Sequence, residues 1–260
     1  MTERGARLAA GTPSIHGTCR VATRSGKQGE QDMSDILVEK SEGVAVVTLN
    51  RPQQRNAVTF EMWRGLAELF RDFDKDADVR SVILTGAGSD FSAGADISEF
   101  DEIRGGAEES KRYEVAVDAA GDAIYGVSKP TIAAIRGYCL GGAAHLAMSC
   151  DFRIAERGAV FGIPAARLSI VYGVSATRKL FSLVGITEAK RILYSANRFG
   201  AEDAIRNGFA DEVANDVLQA AKERAGSMAA NAPLSISGAK FILNGCARGG
   251  FDPAEAERLI

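Results

Sequence analysis

The chain has 260 residues, 46% hydrophobic and 25% charged, enough for one large core or for a domain with a helical appendage. A net charge of −3 argues against nucleic acid or an anionic membrane as the main partner, and no apolar run approaches the roughly 20 residues that span a bilayer. Four cysteines without CxxC spacing and only two histidines argue against a disulfide framework and against a metal site, and point to a reducing compartment, the cytoplasm.

Residues 1–32 stand apart. They hold Arg4, Arg7, Arg20, Arg24 and Lys27 among many hydroxyl residues, with no sustained apolar period. Such a stretch buries too little surface to offset its ordering entropy, so it is expected to be a disordered or artefactual extension. Its arginine and hydroxyl content is also that of an organelle transit peptide, while Met33-Ser34-Asp35 opens the folded pattern cleanly.

From Ile36 onward, "ILVEK" and "VAVVTL" are β-rich runs split by Ser41-Glu42-Gly43, which predicts a hairpin. Trp63, Leu66, Phe70 and Phe73 then fall at helical spacing. A strand at 81–86, a helix at 108–127, a strand at 131–137 entered through Pro130, and a short strand at 151–155 follow. This alternation predicts an α/β architecture of βα-type units over 33–200. After Phe161 the pattern turns helical, with "TEAKRILYSA", "AEDAIRN" closed by Gly208, and "NDVLQAAKERAGSMAANA"; "ADEV" is a candidate short strand, and "DPAEAERLI" carries an Asp-Pro helix-start signal. Residues 201–260 are expected to form a C-terminal helical region.

Three glycine-rich stretches bear on chemistry. "TGAGSDF" (85–91) begins like a dinucleotide fingerprint, but Phe91 fills the third glycine position and no acidic residue ends a following strand, so NAD is rejected. In "FSAGADISEF" (91–100) the small residues let a ligand approach the backbone, and a helical turn starts near Asp96, itself a capping residue. "GYCLGGAAHLAM" (137–148) has the same form: Gly141 and Gly142 end an apolar run and begin a helix. Two such loops, each offering one N–H, would make an oxyanion hole.

The set "LNRPQQRNAV", "VILTGAGSDFSAGADI", "KPTIAAIRGYCLGGAAHLAMSCDFRIA" and "FGIPAARL", in that order, strongly resembles the crotonase (enoyl-CoA hydratase/isomerase) superfamily from about Ile36 to about Pro233. The resemblance implies a spiral of ββα units, with C-terminal helices that mediate homotrimers or dimers of trimers. It implies an acyl-CoA thioester as substrate, no separate cofactor, and a thioester enolate held between the N–H groups of Ala95 and Gly142. The substrate-contacting positions it implies are Gln54, Arg55, Ala57, Ala93, Asp96, Ile97 and Gly141.

Two positions depart from the family's hydratases, which carry one glutamate in the helix after the glycine pair and another after the FGxP turn. Here those positions are His145 and Ala165, so the water-activating carboxylate pair is absent. His145, with an unperturbed pKa of about 6.5, has the chemistry of a general base; a packed, hydrogen-bonded core histidine is the other reading. Tyr172 falls near a tyrosine of the superfamily's methylmalonyl-CoA decarboxylases, and a buried structural tyrosine is the alternative there. The expectation is enolate chemistry in fatty-acid or related acyl-CoA metabolism with His145 as acid/base group. Decarboxylation, hydrolysis, or a catalytically silent acyl-CoA-binding subunit are the rivals.

Overall fold

The computed structural model describes residues 21–23, 34–99 and 106–250. The predicted hairpin is present as β2 (Ile36–Ser41) and β3 (Val44–Leu49), antiparallel and in register from Ile36 opposite Leu49 to Ser41 opposite Val44. Glu42 and Gly43 turn the chain with φ of 51° and 78°, the left-handed pair that a two-residue hairpin loop needs. Helix α1 (Phe60–Lys75) starts where the Thr59 hydroxyl accepts from the Met62 N–H, and it buries Met62, Trp63, Leu66, Phe70 and Phe73. The chain returns as β4 (Ser81–Gly86), whose six residues are all buried because it lies between β3 and β5 (Thr131–Ile135), parallel to both.

Helix α2 (Ala107–Gly126) packs on α1 and leads into β5. Strand β7 (Phe152–Glu156) pairs parallel with β5, and β10 (Glu212–Ala214) parallel with β7. Among the described residues the main sheet has seven strands in the order β1 (Val21–Thr23), β2, β3, β4, β5, β7, β10. Alternate residues of β4 serve two cores: Val82 and Leu84 face the large one with α1, while Ile83 meets Ile132, Ile154 and α6 (Val217–Ala229) on the other side.

Two features bear on the expected organisation. Within the extension expected to be disordered, Val21–Thr23 is a strand (β1), parallel to Ile36–Val38 at the sheet edge; the rest of 1–32 lies outside the described residues, as does the "DPAEAERLI" helix. Past residue 200 the chain also contributes to the main sheet and its second core. These contributions are β10 and α6, whose Val217, Ala221 and Ala225 build the second core. Buried Arg153 on β7 also donates to the Phe209 carbonyl at 2.8 Å and to Asp211 at 3.0 Å, tying the two parts together.

A second, three-stranded sheet is formed by β6 (Tyr138–Leu140), β8 (Val160–Gly162) and β9 (Phe199–Gly200). From β6 the chain enters α3 (Gly142–Ser149), seven of whose eight residues are buried. Helix α4 (Val174–Ser195), kinked at Gly185 where φ is 72°, covers α3. Helices α5 (Ala201–Asn207), closed by Gly208 as its sequence predicts, and α7 (Pro233–Arg248) complete the described chain. Among the described residues no helix is long and apolar enough to cross a membrane.

Candidate active site

The two glycine-rich loops meet. Loop 91–96 is pinned from both sides: Phe91 N–H donates to Arg136, Ser92 N–H to Tyr138, Ala93 N–H to Arg55 and Asp96 N–H to Val58, while Gly94 N–H is held by the Ser92 hydroxyl at 3.0 Å. Among the described residues, Ala95 is the one member of this run whose N–H has no protein acceptor. Across from it, Gly141 N–H donates to Gly162 at 2.8 Å, whereas Gly142, first residue of α3, leaves its own N–H unpaired among the described residues.

The two orphan donors are close. A Cβ built on Gly142 would lie 3.3 Å from the Ala95 nitrogen, and one on Gly94 would lie 3.2 Å from the Gly142 nitrogen. The approach requires glycine twice. Gly94 has φ of 102°, and a Cβ there would come 2.5 Å from the Leu140 carbonyl; Gly141 has φ of 53° and ψ of −111°. Trp63 from α1 backs the pair, its indole N–H held by the Tyr113 hydroxyl at 3.0 Å. Two spare N–H groups this close together beside the start of a helix have the chemistry to polarise a carbonyl oxygen and hold the negative charge that develops on it.

The surrounding predicted residues divide by role. Asn56, fully buried with φ of 54°, ties its own loop to the next by donating to the carbonyls of Ala87 and Asp90. This places Gln54, Arg55 and Ala57 beside the 91–96 loop. Gln54 and Arg55 are exposed, the Arg55 guanidinium stacks 5.0 Å over Tyr138, and the Ala57 carbonyl accepts from Arg51 at 2.7 Å. The same Arg51 nitrogen reaches Asp96 at 2.7 Å, a pair that no local sequence signal announces. Asp96 also accepts from the N–H and hydroxyl of Ser98, the capping role expected of it. Burial alone would raise its pKa; the hydrogen bonds from Ser98 and Arg51 outweigh that and hold it below the usual carboxylate value. Ile97 is 72% exposed.

Tyr172 comes to the glycine loop, its hydroxyl donating to the Gly141 carbonyl at 3.0 Å. Burial raises its pKa, so the phenol keeps its proton. Tyr172 shares an apolar cavity of about 650 Å³ with Ala165, Ile170, Phe181 and Leu193. The position of the second family glutamate is therefore a methyl group in an apolar wall.

His145 sits in the first turn of α3, 1% exposed. Its Nε2 lies 3.2 Å from the Lys179 ammonium of α4, and its ring packs so tightly on α2 that a Cβ at Gly121 would come within 2.3 Å of Nε2. Burial first, then the Lys179 charge, lowers its pKa to about 3. Burial beside a lysine therefore favours the neutral imidazole over a histidine titrating near neutrality.

The relatives of this chain bear on what such a site does. Residues 39–249 match the family model described as enoyl-CoA hydratase/isomerase. The chain is 36% identical over 216 residues to the short-chain-enoyl-CoA hydratase of Clostridium acetobutylicum, covering 82% of each. It is 34% identical over 213 residues to the crotonyl-CoA hydratase of Syntrophomonas wolfei, covering 81% of each. Among solved structures, an enoyl-CoA hydratase/carnitine racemase from Magnetospirillum magneticum superposes with a TM-score of 0.82 at 34% identity, over 87% of this chain and 86% of that one. The mixed sheet and its helices are thus the crotonase fold, and the chain belongs to the enoyl-CoA hydratase/isomerase family.

Proposed function

We propose that the protein is an acyl-CoA-processing enzyme that stabilises a thioester enolate between the N–H groups of Ala95 and Gly142. The observation that carries this reading is the pair of neighbouring N–H groups, each without a protein acceptor among the described residues, on two loops whose adjacent N–H groups are hydrogen-bonded. Gln54, Arg55, Ala57, Ala93, Asp96, Ile97 and Gly141 contact the coenzyme and thioester, and coenzyme A enters only as part of the substrate. The site lacks the means for two-carboxylate hydration. Ala165 offers no carboxylate, and His145 is a neutral ring whose Nε2 is engaged.

That last observation favours one reaction within the family's range. A thioester bearing a carboxylate on Cα needs no general base: the Cα–carboxylate bond breaks, carbon dioxide leaves, and the electron pair passes into the enolate held by the two N–H groups. A proton must then be delivered to Cα. The polar side chains nearest the glycine loop are Tyr172, whose hydroxyl lies 3.0 Å from the Gly141 carbonyl, and His145, one turn further along α3.

The experiment is a panel: carbon dioxide release from malonyl-type thioesters, Cα deuterium exchange on a saturated acyl-CoA, and hydration of crotonyl-CoA. Exchange or decarboxylation is expected at a rate that does not follow a histidine titration between pH 5.5 and 8. Calorimetric binding of acyl-CoA with none of the three reactions would make this a binding subunit and refute the enzymatic reading.

We also propose self-association as a homotrimer or dimer of trimers. Val171, Val174 and Ile186 are 92%, 74% and 56% exposed around the mouth of the apolar cavity, a cluster of large apolar side chains that association would cover. Sedimentation equilibrium is expected to give three or six times the chain mass, and a monomer at micromolar concentration would dismiss this.

A further inference from the structure

Lys179 is an unusual residue to find 7% exposed. Its ammonium has three protons and meets three partners: Asp122 at 3.1 Å, the Ser175 hydroxyl at 3.1 Å and His145 Nε2 at 3.2 Å. Tyr125 lies 5.5 Å below the charge. Asp122 and Ser175 belong to α2 and α4, and Ser175 donates its own proton to Asp122 at 2.8 Å. Its hydroxyl lone pairs are therefore free to accept from Lys179. An ammonium has no lone pair. The contact with Nε2 is a hydrogen bond only if that nitrogen is the unprotonated one, which leaves the single ring proton on Nδ1.

We infer that Lys179, anchored by Asp122 and Ser175, is a positioning residue that locks His145 in the Nδ1–H tautomer, so that any part His145 takes in the proposed thioester chemistry is that of a donor through Nδ1–H and not of a base. The donor role at the substrate rests on the proposed function; the tautomer does not. Three elements cooperate to set it. Helix α3 supplies the histidine three residues after the Gly142 donor, α4 supplies the lysine, and α2 supplies Asp122 together with the missing side chain of Gly121 that admits the ring.

The test reads the tautomer directly, by ¹⁵N NMR of the imidazole rings in the full chain at neutral pH. There are two histidines in the sequence, and His16→Asn identifies the signals of His145. The native ring is expected to show one N–H, at Nδ1, with Nε2 unprotonated. Lys179→Met removes the donor and is expected to shift the proton wholly or partly to Nε2, whereas Lys179→Arg, which keeps a donor, retains the native pattern. In the proposed reaction Lys179→Met lowers kcat by up to about 10²-fold, the lower end of what a positioned proton donor contributes, with KM within about twofold. A native ring protonated on Nε2, or a folded Lys179→Met that keeps the single Nδ1–H tautomer, overturns the inference. Because the NMR measurement needs no substrate, failure of the oxyanion-hole assignment would leave it standing, and the reverse also holds.

Discussion

Replacing Gly142 by proline is expected to cut turnover of any acyl-CoA substrate by roughly 10²–10³-fold, the usual cost of removing one oxyanion donor. Proline lacks the N–H, and Gly142 is the first residue of α3, the helical position that tolerates proline best. The variant is therefore expected to fold, as circular dichroism would check. The loss should fall on kcat more than on binding, because the donor does most for the oxygen once negative charge has developed on it. A side chain also brings bulk: a Cβ on Gly142 would stand 3.0 Å from Trp63 and 3.3 Å from the Ala95 nitrogen. Gly142→Ala carries the same Cβ but keeps the N–H, so it separates crowding from donor loss. If alanine costs as much as proline, crowding is the cause. Near-native turnover in a folded Gly142→Pro would move the reaction to another site.

The features legible in the sequence are those with a local physical cause. The β2–β3 hairpin is written in two apolar runs around Glu42-Gly43, and α1 in the spacing of Trp63, Leu66, Phe70 and Phe73. The glycine loops could be singled out because closely approaching backbone needs small residues within a few positions. What could not be read is register. That Ala95, and not Gly94 or Asp96, keeps a spare N–H follows from the Ser92 hydroxyl, which takes the Gly94 N–H, and from the carbonyl of Val58, 38 residues before Asp96 along the chain, which takes the Asp96 N–H. Strands β6, β8 and β9 are two or three residues long, too short to show a period, and the first half of α4 hides behind Gly173 and the kink at Gly185. His145 is the instructive case. Its position, three residues after Gly142, was plain, but its chemistry belongs to Lys179, 34 residues later, and to the bare Cα of Gly121. The sequence carries no sign of the burial beside a lysine that lowers the pKa of His145 from the ordinary imidazole value and favours the neutral ring.

Hydration of crotonyl-CoA by the native protein is expected to be slow, short of a carboxylate-assisted rate by the roughly 10²–10⁴-fold that one positioned acid/base group contributes, or more. Adding water across an enoyl double bond needs one group to take a proton from the water and another to deliver one to Cα. Ala165 provides neither, and its surroundings of Ile170, Leu193 and Phe181 do not order a water. Restoring the pair is more feasible than the burial suggests. In His145→Glu the new carboxylate would meet the Lys179 ammonium that now binds Nε2, so its buried charge would be partnered. In Ala165→Glu the new side chain would enter the apolar cavity, where desolvation raises a carboxyl pKa and favours the protonated form that a general acid requires. The double variant His145→Glu/Ala165→Glu is therefore expected to hydrate crotonyl-CoA measurably faster than the native chain, and Ala165→Glu alone to gain much less, since one carboxylate cannot serve as both base and acid toward the same water. Loss of the enoyl absorbance gives the rate, with acyl-CoA binding measured alongside to separate chemistry from affinity. Rapid hydration by the native protein, unaffected in His145→Ala, would mean that a group outside this constellation activates water. It would refute the mechanism drawn from the missing carboxylates.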